Sequence, residues 1–181
     1  NTANNSVNVG IVLEFSSDNE LTDNTASNNE DDGFGLDASF ENELTGNTAN
    51  NNEDGIALEE SENNTLTDNT ANENEQTGLE LDENSDDNTL TDNTANNNDV
   101  GILVEEGSDD NLLELIEANE NTWGIIVLLT EGNELMDNEA NRNGGESDFG
   151  DGQPLPPIIE DFPGIGIKIA GSSDTTVEDN E

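Results

Sequence analysis

The 181-residue chain holds 45 aspartate and glutamate residues against two basic residues, which gives a formal net charge of −43. This charge excludes nucleic acid and anionic membrane surfaces as partners, because both would be repelled. The longest apolar run, residues 124–129, is too short to be inserted in a membrane, and the absence of cysteine excludes disulfides and thiolate chemistry. The length predicts a single domain.

The charge also indicates the habitat. Self-repulsion of this size opposes a compact fold in dilute buffer, whereas at about 1 M salt the Debye length of about 3 Å screens it. The acid-rich, lysine-poor composition therefore predicts a protein of a halophilic organism. Low hydrophobicity with high charge is also the signature of disorder. The sparse apolar residues keep a fixed register, however, which favours a folded chain.

An internal repeat dominates the chain. Alanines recur at spacings of 22 to 24 residues, each inside a phrase similar to Asn-Leu-Thr-Asp-Asn-Thr-Ala-Asn-Asn-Asn. A period this short predicts a stack of identical supersecondary units. The alanines that mark the units are Ala3, Ala26, Ala49, Ala71, Ala95, Ala118 and Ala140.

Each unit predicts the same elements in the same order. A glycine such as Gly55 is followed by apolar residues at the first and third positions, here Ile56 and Leu58. This alternation is typical of a strand with one buried face. A leucine such as Leu66 then lies in a threonine-rich stretch that favours a second strand, and the alanine follows five residues later. The pattern predicts a thin core of inward-facing side chains.

A leucine-rich repeat has a similar period and must be weighed against this interpretation. The phrase Leu-x-x-Leu-x-Leu is missing from every unit, and the part that would be helical, such as residues 93–98, consists mostly of poor helix formers. Three short strands per unit fit better. The sequence therefore predicts an all-β fold, a right-handed single-stranded parallel β-helix of about 23 residues per coil and roughly seven to eight coils.

Asparagine recurs in fixed columns, and an amide that both donates and accepts hydrogen bonds can form a ladder through stacked coils. We expect these columns to be structural. A further column is acidic and offers oxygen ligands that could bind Ca²⁺ or Mg²⁺ without selecting between them. Its members are Asp23, Asp68, Asp92 and Asp137, with Gly46 and Glu114 between them. The clearest asparagine columns are Asn19, Asn42, Asn64, Asn88, Asn111 and Asn133; Asn29, Asn52, Asn74, Asn98, Asn121 and Asn143; and Asn24, Asn47, Asn69, Asn93 and Asn138, the last interrupted by Ile116.

The repeat predicts β-helix coils over residues 1–143, an inserted Gly-, Asp- and Pro-rich loop over 144–163, and a further coil over 164–181. Long loops on a solenoid often carry function. Within the loop, Asp148 and Asp151 are the candidate metal ligands, with Ca²⁺ as the expected ion. Both ends of the chain lie within the repeat, so we expect further coils of the same chain or end-to-end self-association.

The repeated phrases, with Asn-x-Leu-Thr-Asp-Asn-Thr-Ala followed by asparagine and Gly-Ile-x-Leu, resemble the NosD-like family of periplasmic copper-binding β-helix proteins. The resemblance extends to exported relatives, particularly those of salt-loving archaea. It covers residues 1–143 and resumes over 164–181. It implies export and a role at the cell surface. Copper handling does not transfer well, because the chain has no histidine or cysteine and only Met136 as a soft ligand.

Enzymes with the β-helix fold that this resemblance implies usually act on acidic polysaccharides, so an enzymatic function must also be considered. A lyase needs a base and cations, but Arg142 and Lys168 are the only basic residues. A hydrolase needs two carboxyl groups, and Trp123 and Phe149 are the aromatic residues that could bind sugar. Acidic pairs that could serve a hydrolase are Asp31–Asp32, Asp86–Asp87 and Asp109–Asp110.

The sequence favours a non-catalytic exported or cell-surface scaffold or adhesion module, with polysaccharide as a partner. The alternatives are a carbohydrate-active domain that acts along a solenoid groove and a NosD-like metal-handling accessory protein. Arg142, Lys168, Trp123 and several acids gathered around one groove would favour the enzyme, whereas scattered positions would favour the scaffold.

Overall fold

The computed structural model describes residues 1–144 and 166–180. Fourteen short strands form two parallel sheets of seven strands each. Most of the predicted 144–163 loop lies outside the described residues, as do Asp148 and Asp151, so the calcium site stays a prediction. Over residues 1–144 and 166–180 there is no helix with the length and apolar character needed to cross a bilayer.

The strands alternate between the two sheets, so each coil contributes one strand to each sheet. The first sheet contains β1 (Ile11–Glu14), β3 (Phe34–Asp37), β5 (Ile56–Glu59), β7 (Thr77–Asp82), β9 (Val100–Val104), β11 (Trp123–Leu128) and β13 (Ile167–Ala170). The second sheet contains β2 (Glu20–Thr22), β4 (Glu43–Thr45), β6 (Thr65–Thr67), β8 (Thr89–Thr91), β10 (Leu112–Glu114), β12 (Glu134–Met136) and β14 (Thr176–Glu178).

The strands pair in the register that the repeat predicts. Ile56 is opposite Leu79 and Leu58 is opposite Leu81, and all four side chains are fully buried. The chain returns to the stack after the undescribed segment, because β13 pairs with β11. The predicted third strand is reduced to single bridges such as Thr48↔Thr70. The parallel β-solenoid fold is confirmed; its right hand stays a prediction.

The asparagine ladders are confirmed. Asn24 Nδ2 donates to Asn47 Oδ1 at 3.0 Å, and Asn47 Nδ2 donates to Asn69 Oδ1 at the same distance. The same oxygen of Asn69 accepts the backbone N–H of Asn47 at 2.9 Å. Each coil thus hydrogen-bonds the buried polar groups of the next, which removes most of the cost of burying them. Ile116 interrupts this column and is buried in the core.

The acidic column is a row of corners. Asp23, Asp68 and Asp92 have φ values of 51°, 55° and 56°, in the left-handed region that aspartate tolerates. The expectation that Glu114 belongs to this column was wrong. Glu114 pairs with Thr91 in β8, so the next residue, Leu115, takes the corner, with φ of 56°.

A recurring glycine at the start of each strand of the first sheet, either just before the strand or as its second residue, lets neighbouring coils approach closely. A Cβ added to Gly78 would lie 2.7 Å from Ala95 Cβ, 2.7 Å from the Gly101 carbonyl oxygen and 2.8 Å from Asn98 Nδ2. These distances are too short for a real side chain. The repeat therefore uses glycine here because the space is already filled by the next coil.

Candidate functional site

The outer face of the first sheet changes character along the solenoid. One outward column runs through the centre of this face, with one residue from each strand in parallel register. The column passes from small residues to an acid, then to apolar residues and finally to a base. Its members are Val12, Gly35, Ala57, Glu80, Leu103, Ile126 and Lys168.

The small and acidic part of this face forms a depression, which we call the acidic trough. Gly35 and Ala57 form its floor, and a cavity of about 300 Å³ opens above them. A Cβ added to Gly35 would lie 3.5 Å from Val9 Cγ1 and 3.7 Å from Asp32 Oδ2, which are ordinary contacts that leave the site open. The carboxylates that line this cavity are Asp31, Asp32, Asp37 and Glu59. The trough continues beside the cavity with the carboxylates of Asp54, Glu80, Asp82 and Glu105.

Burial controls the protonation of the trough. It raises the pKa of Asp32 to about 8, and the negative charge of Asp54 adds to the increase. Burial likewise raises the pKa of Glu80 to about 9, with the charges of Asp54 and Asp82 as further causes. Desolvation and like charges both disfavour the ionised form. Near neutral pH, Asp32 and Glu80 are therefore largely protonated and can donate hydrogen bonds.

Two further carboxyl groups of the trough titrate closer to the ordinary range. Burial raises the pKa of Asp54 to about 6, but the Thr77 backbone N–H donates to Asp54 Oδ1 at 2.6 Å and favours the ionised form. Burial raises the pKa of Glu105 to about 7, and the charge of Asp82 adds to the increase. The trough therefore combines ionised and protonated carboxyl groups within a small volume.

Three carboxylates at the end of the trough are close enough to share an ion. Oxygen atoms of Glu80, Asp82 and Glu105 lie within 4.8 Å of one another. Such an oxygen set suits Ca²⁺ or Mg²⁺. It does not suit Cu(I), which selects thiolate and thioether ligands. The copper that the NosD-like resemblance implies therefore has no fitting site among the described residues.

Only one of the predicted acidic pairs contributes to the trough. Asp31 and Asp32 line its cavity. In the other two pairs, carboxylates hold neighbouring coils together: Asp86 Oδ1 accepts the backbone N–H of Asp109 at 2.8 Å, and Asp109 Oδ1 accepts that of Glu131 at 2.6 Å. Sequence reasoning missed Glu80, although it is an acid in an outward column that otherwise holds small, apolar or basic residues.

Beyond Glu105 the face becomes apolar. Trp123 packs with Val100, Ile126 and Leu128 and is only 2% exposed, although it lies on the outer face. Lys168 Nζ lies 5.6 Å from the centroid of the Trp123 ring. The tryptophan is thus not presented as an open platform for sugar, and the indole Nε1 is buried without a hydrogen-bond partner.

The two basic residues lie on different surfaces. Lys168 belongs to the first sheet, at the apolar end of its outer face. Arg142 belongs to a turn that follows the second sheet, and its Nη1 donates to Glu120 Oε1 at 2.9 Å, with both side chains well exposed. Lys168 and Trp123 are brought together, whereas Arg142 is not brought to the same face.

Comparison with known proteins gives one family and a common architecture. The family model described as periplasmic copper-binding protein (NosD) matches residues 1–115. No curated protein matches the chain. Several solved structures share its fold, and the chain spans about half the length of each.

All of these structures are below 25% identity and therefore establish the fold alone. A mutant of the periplasmic alginate epimerase AlgG is 21% identical with a TM-score of 0.73, over 96% of this chain and 48% of that one. The A-module of the mannuronan C-5 epimerase AlgE6 from Azotobacter vinelandii is 17% identical, with a TM-score of 0.69 and coverage of 99% and 55%. An alginate lyase from a Paenibacillus species is 12% identical, with a TM-score of 0.62 and coverage of 75% and 58%.

Proposed function

The chain belongs to the NosD family, and on that premise we propose that it is a non-catalytic, exported β-helix scaffold that adheres to polysaccharide at the surface of a halophilic cell. The family is described as periplasmic, which supports export. The solved structures with the same fold include enzymes named for alginate and mannuronan, which supports a polysaccharide partner. The formal charge of −43 supports a salt-rich habitat.

The separation of the basic side chains from the acidic trough carries the proposal. A lyase or epimerase that abstracts a proton beside a uronic carboxylate needs a base and cationic groups at one place. In the central column, Leu103 and Ile126 lie between Glu80 and Lys168. Arg142 is on another surface, paired with Glu120. The trough itself is lined by carboxylates, which would repel a uronic acid polymer.

The side chains that could ligate a metal do not support a copper-handling role. The chain contains no cysteine, no histidine and a single methionine. Its close carboxylates are oxygen donors, which suit hard cations. We retain Ca²⁺ as the expected ion at Asp148 and Asp151, on the strength of the sequence alone.

A panel assay in buffer with about 1 M KCl tests the scaffold proposal, since this salt concentration screens the self-repulsion. The purified protein is titrated with neutral and uronic acid polysaccharides by calorimetry, and the same mixtures are followed by NMR for cleavage or inversion. We expect binding to at least one polysaccharide without turnover. Turnover by the wild-type protein would contradict the proposal, as would a lack of binding to every polymer.

A polysaccharide hydrolase is the second candidate, favoured by the carboxyl groups of the trough. A general acid needs a raised pKa, and Glu80 has one, near 9. Asp82 lies close enough to act as the second carboxylate. If turnover is seen, Glu80→Gln should abolish it, while the exposed Glu134→Gln on the second sheet should not. Turnover that survives Glu80→Gln would exclude this site.

A further inference from the structure

A second cleft lies on the turn side of the solenoid, away from the outer face of the first sheet. It has a volume of about 630 Å³ and spans parts of three successive coils. Side-chain amides, carboxylates and one guanidinium line it, and none of the lining residues is apolar. The lining residues are Asn96, Asn97, Glu117, Asn119, Glu120, Glu139, Asn141 and Arg142.

The amides of this cleft are held in place by the backbone. Asn96 Oδ1 accepts the backbone N–H of Asn119 at 2.6 Å, and Asn119 Oδ1 accepts that of Asn141 at the same distance. Because the side-chain oxygen of each of these asparagines accepts a hydrogen bond from the backbone of the next coil, its NH₂ group points to the other polar atoms of the cleft. The coil stacking therefore fixes which side of each amide is the donor.

Carboxylates complete an alternating row of donors and acceptors. Asn119 Nδ2 donates to Oε1 of both Glu117 and Glu139 at 3.2 Å. Asn141 Nδ2 donates to the same oxygen of Glu139 at 3.0 Å. The row repeats at the coil spacing, which is about 4.8 Å in parallel sheets. Polar groups held before a ligand arrives lower the entropic cost of binding.

Arg142 adds donors at one end of the row. Its backbone has φ of 57°, a left-handed corner, and its side chain is 79% exposed. The pair with Glu120 engages Nη1. A guanidinium has five N–H donors in a fixed plane, so further donors remain for hydroxyl groups.

We propose that this cleft binds an uncharged polysaccharide laid across the three coils. Hydroxyl groups both donate and accept, and so match a surface of alternating amides and carboxylates. Three glutamates against one arginine leave the lining negatively charged, which disfavours uronic and sulfated polymers. The inference rests on the proposed adhesion function and names its ligand class and binding surface.

The experiment measures affinity for neutral and uronic polysaccharides by calorimetry in about 1 M KCl, a salt concentration that screens long-range charge. Arg142→Ala and Glu139→Ala are compared with the wild type. Glu134→Ala is the matched control, since Glu134 is an exposed glutamate of the same coil but on the second sheet. We expect each cleft variant to bind a neutral polysaccharide about tenfold more weakly and the control to be unchanged. Circular dichroism verifies that the variants fold, which the exposure of both side chains favours.

The outcomes distinguish this inference from the proposed function. If the wild type binds a polysaccharide but Arg142→Ala and Glu139→Ala retain full affinity, the cleft is not the binding surface and only this inference fails. Equal or tighter binding of a uronic acid polymer would overturn the ligand class. If the wild type binds no polysaccharide at all, the inference and the proposed adhesion function fail together.

Discussion

Ile116 donates its backbone N–H to Asn138 Oδ1 at 2.8 Å, although its own side chain is an apolar member of an asparagine column. In the other coils the corresponding amide also offers an oxygen to the coil before it, as Asn93 does to the backbone N–H of Asn69 at 2.9 Å. Ile116 has no such oxygen for Asn93. The column thus keeps its backbone position while one side-chain link is lost.

Restoring this link should cost little. Ile116→Asn loses burial worth about 1.5–3 kcal/mol but gains hydrogen bonds with both neighbouring coils. We expect the free energy of unfolding to change by at most about 1 kcal/mol. Leu113→Asn places the same amide in the core without partners, and should destabilise by about 4 kcal/mol. Denaturant unfolding of both variants measures the difference. Equal losses in the free energy of unfolding would show that the asparagine ladder does not stabilise the amide at position 116.

Two glycines in different surroundings, Gly78 of the recurring column and Gly35 of the outer face, give a second matched pair. Gly78→Ala forces a Cβ against the Gly101 carbonyl oxygen and Ala95, so it should destabilise by about 3 kcal/mol or prevent folding. Gly35→Ala adds a Cβ at ordinary contact distances and should be neutral or stabilise by up to about 1 kcal/mol. Thermal unfolding of the two variants measures the contrast. If Gly78→Ala unfolds at the same temperature as the wild type, the coils can move apart to accommodate the added methyl group.

The acidic trough should make stability depend on pH at low salt. The folded state raises the pKa of Asp32 to about 8 and of Glu80 to about 9, whereas unfolded carboxyl groups titrate near 4. The folded state therefore binds more protons between these values. The free energy of unfolding should fall as pH rises from about 4 to about 9, and the part due to these groups is fully present only below pH 4.

Glu80→Gln tests this dependence, because glutamine is neutral and nearly isosteric. Near pH 8 the variant should be more stable than the wild type by up to about 5 kcal/mol, because the ordinary pKa lies about 3.5 units below this pH and each unit is worth about 1.4 kcal/mol; near pH 4 the two should be equal. Denaturant unfolding at both pH values measures the slope, with the exposed Glu134→Gln as the control. A wild-type slope in the Glu80→Gln variant would show that another group is responsible.

Copper binding should be weak despite the family to which the chain belongs. Soft ligands are limited to the half-buried Met136, so Cu(I) should be removed by a moderate chelator in a competition titration. Met136→Leu should leave the result unchanged. Stoichiometric Cu(I) retained against the chelator would show that the oxygen donors, or Met136, form a site that ordinary ligand preferences do not predict.

The repeat predicts most of the fold because each column has one physical role. Leu66 and Leu90 must face the core, Gly78 must leave space for the next coil, and asparagines must stack. The one error in a column, Glu114 for Leu115, arose where the acidic pattern was interrupted. The adjacent asparagine column, which holds Ile116 at this coil, already indicates the register that strand pairing shows.

The site was harder to predict because it depends on differences between coils. Glu80 gains its raised pKa from burial beside Asp54, a residue of the preceding coil, and such burial has no sequence signature. Asn119 looked like part of a structural phrase, yet its NH₂ group meets Glu117 and Glu139 in an open cleft.

The stacked coils also give the solenoid a length that is set by the number of its coils. Spacings of 22, 23 and 24 residues all keep the strands in register, as in the ladder bonds from Asn42 to Asn64 and from Asn64 to Asn88. Small length changes are therefore absorbed at the corners without disturbing the sheets. Because each coil advances about 4.8 Å, duplication or loss of a coil would change the molecule's reach in equal steps while every internal contact is repeated.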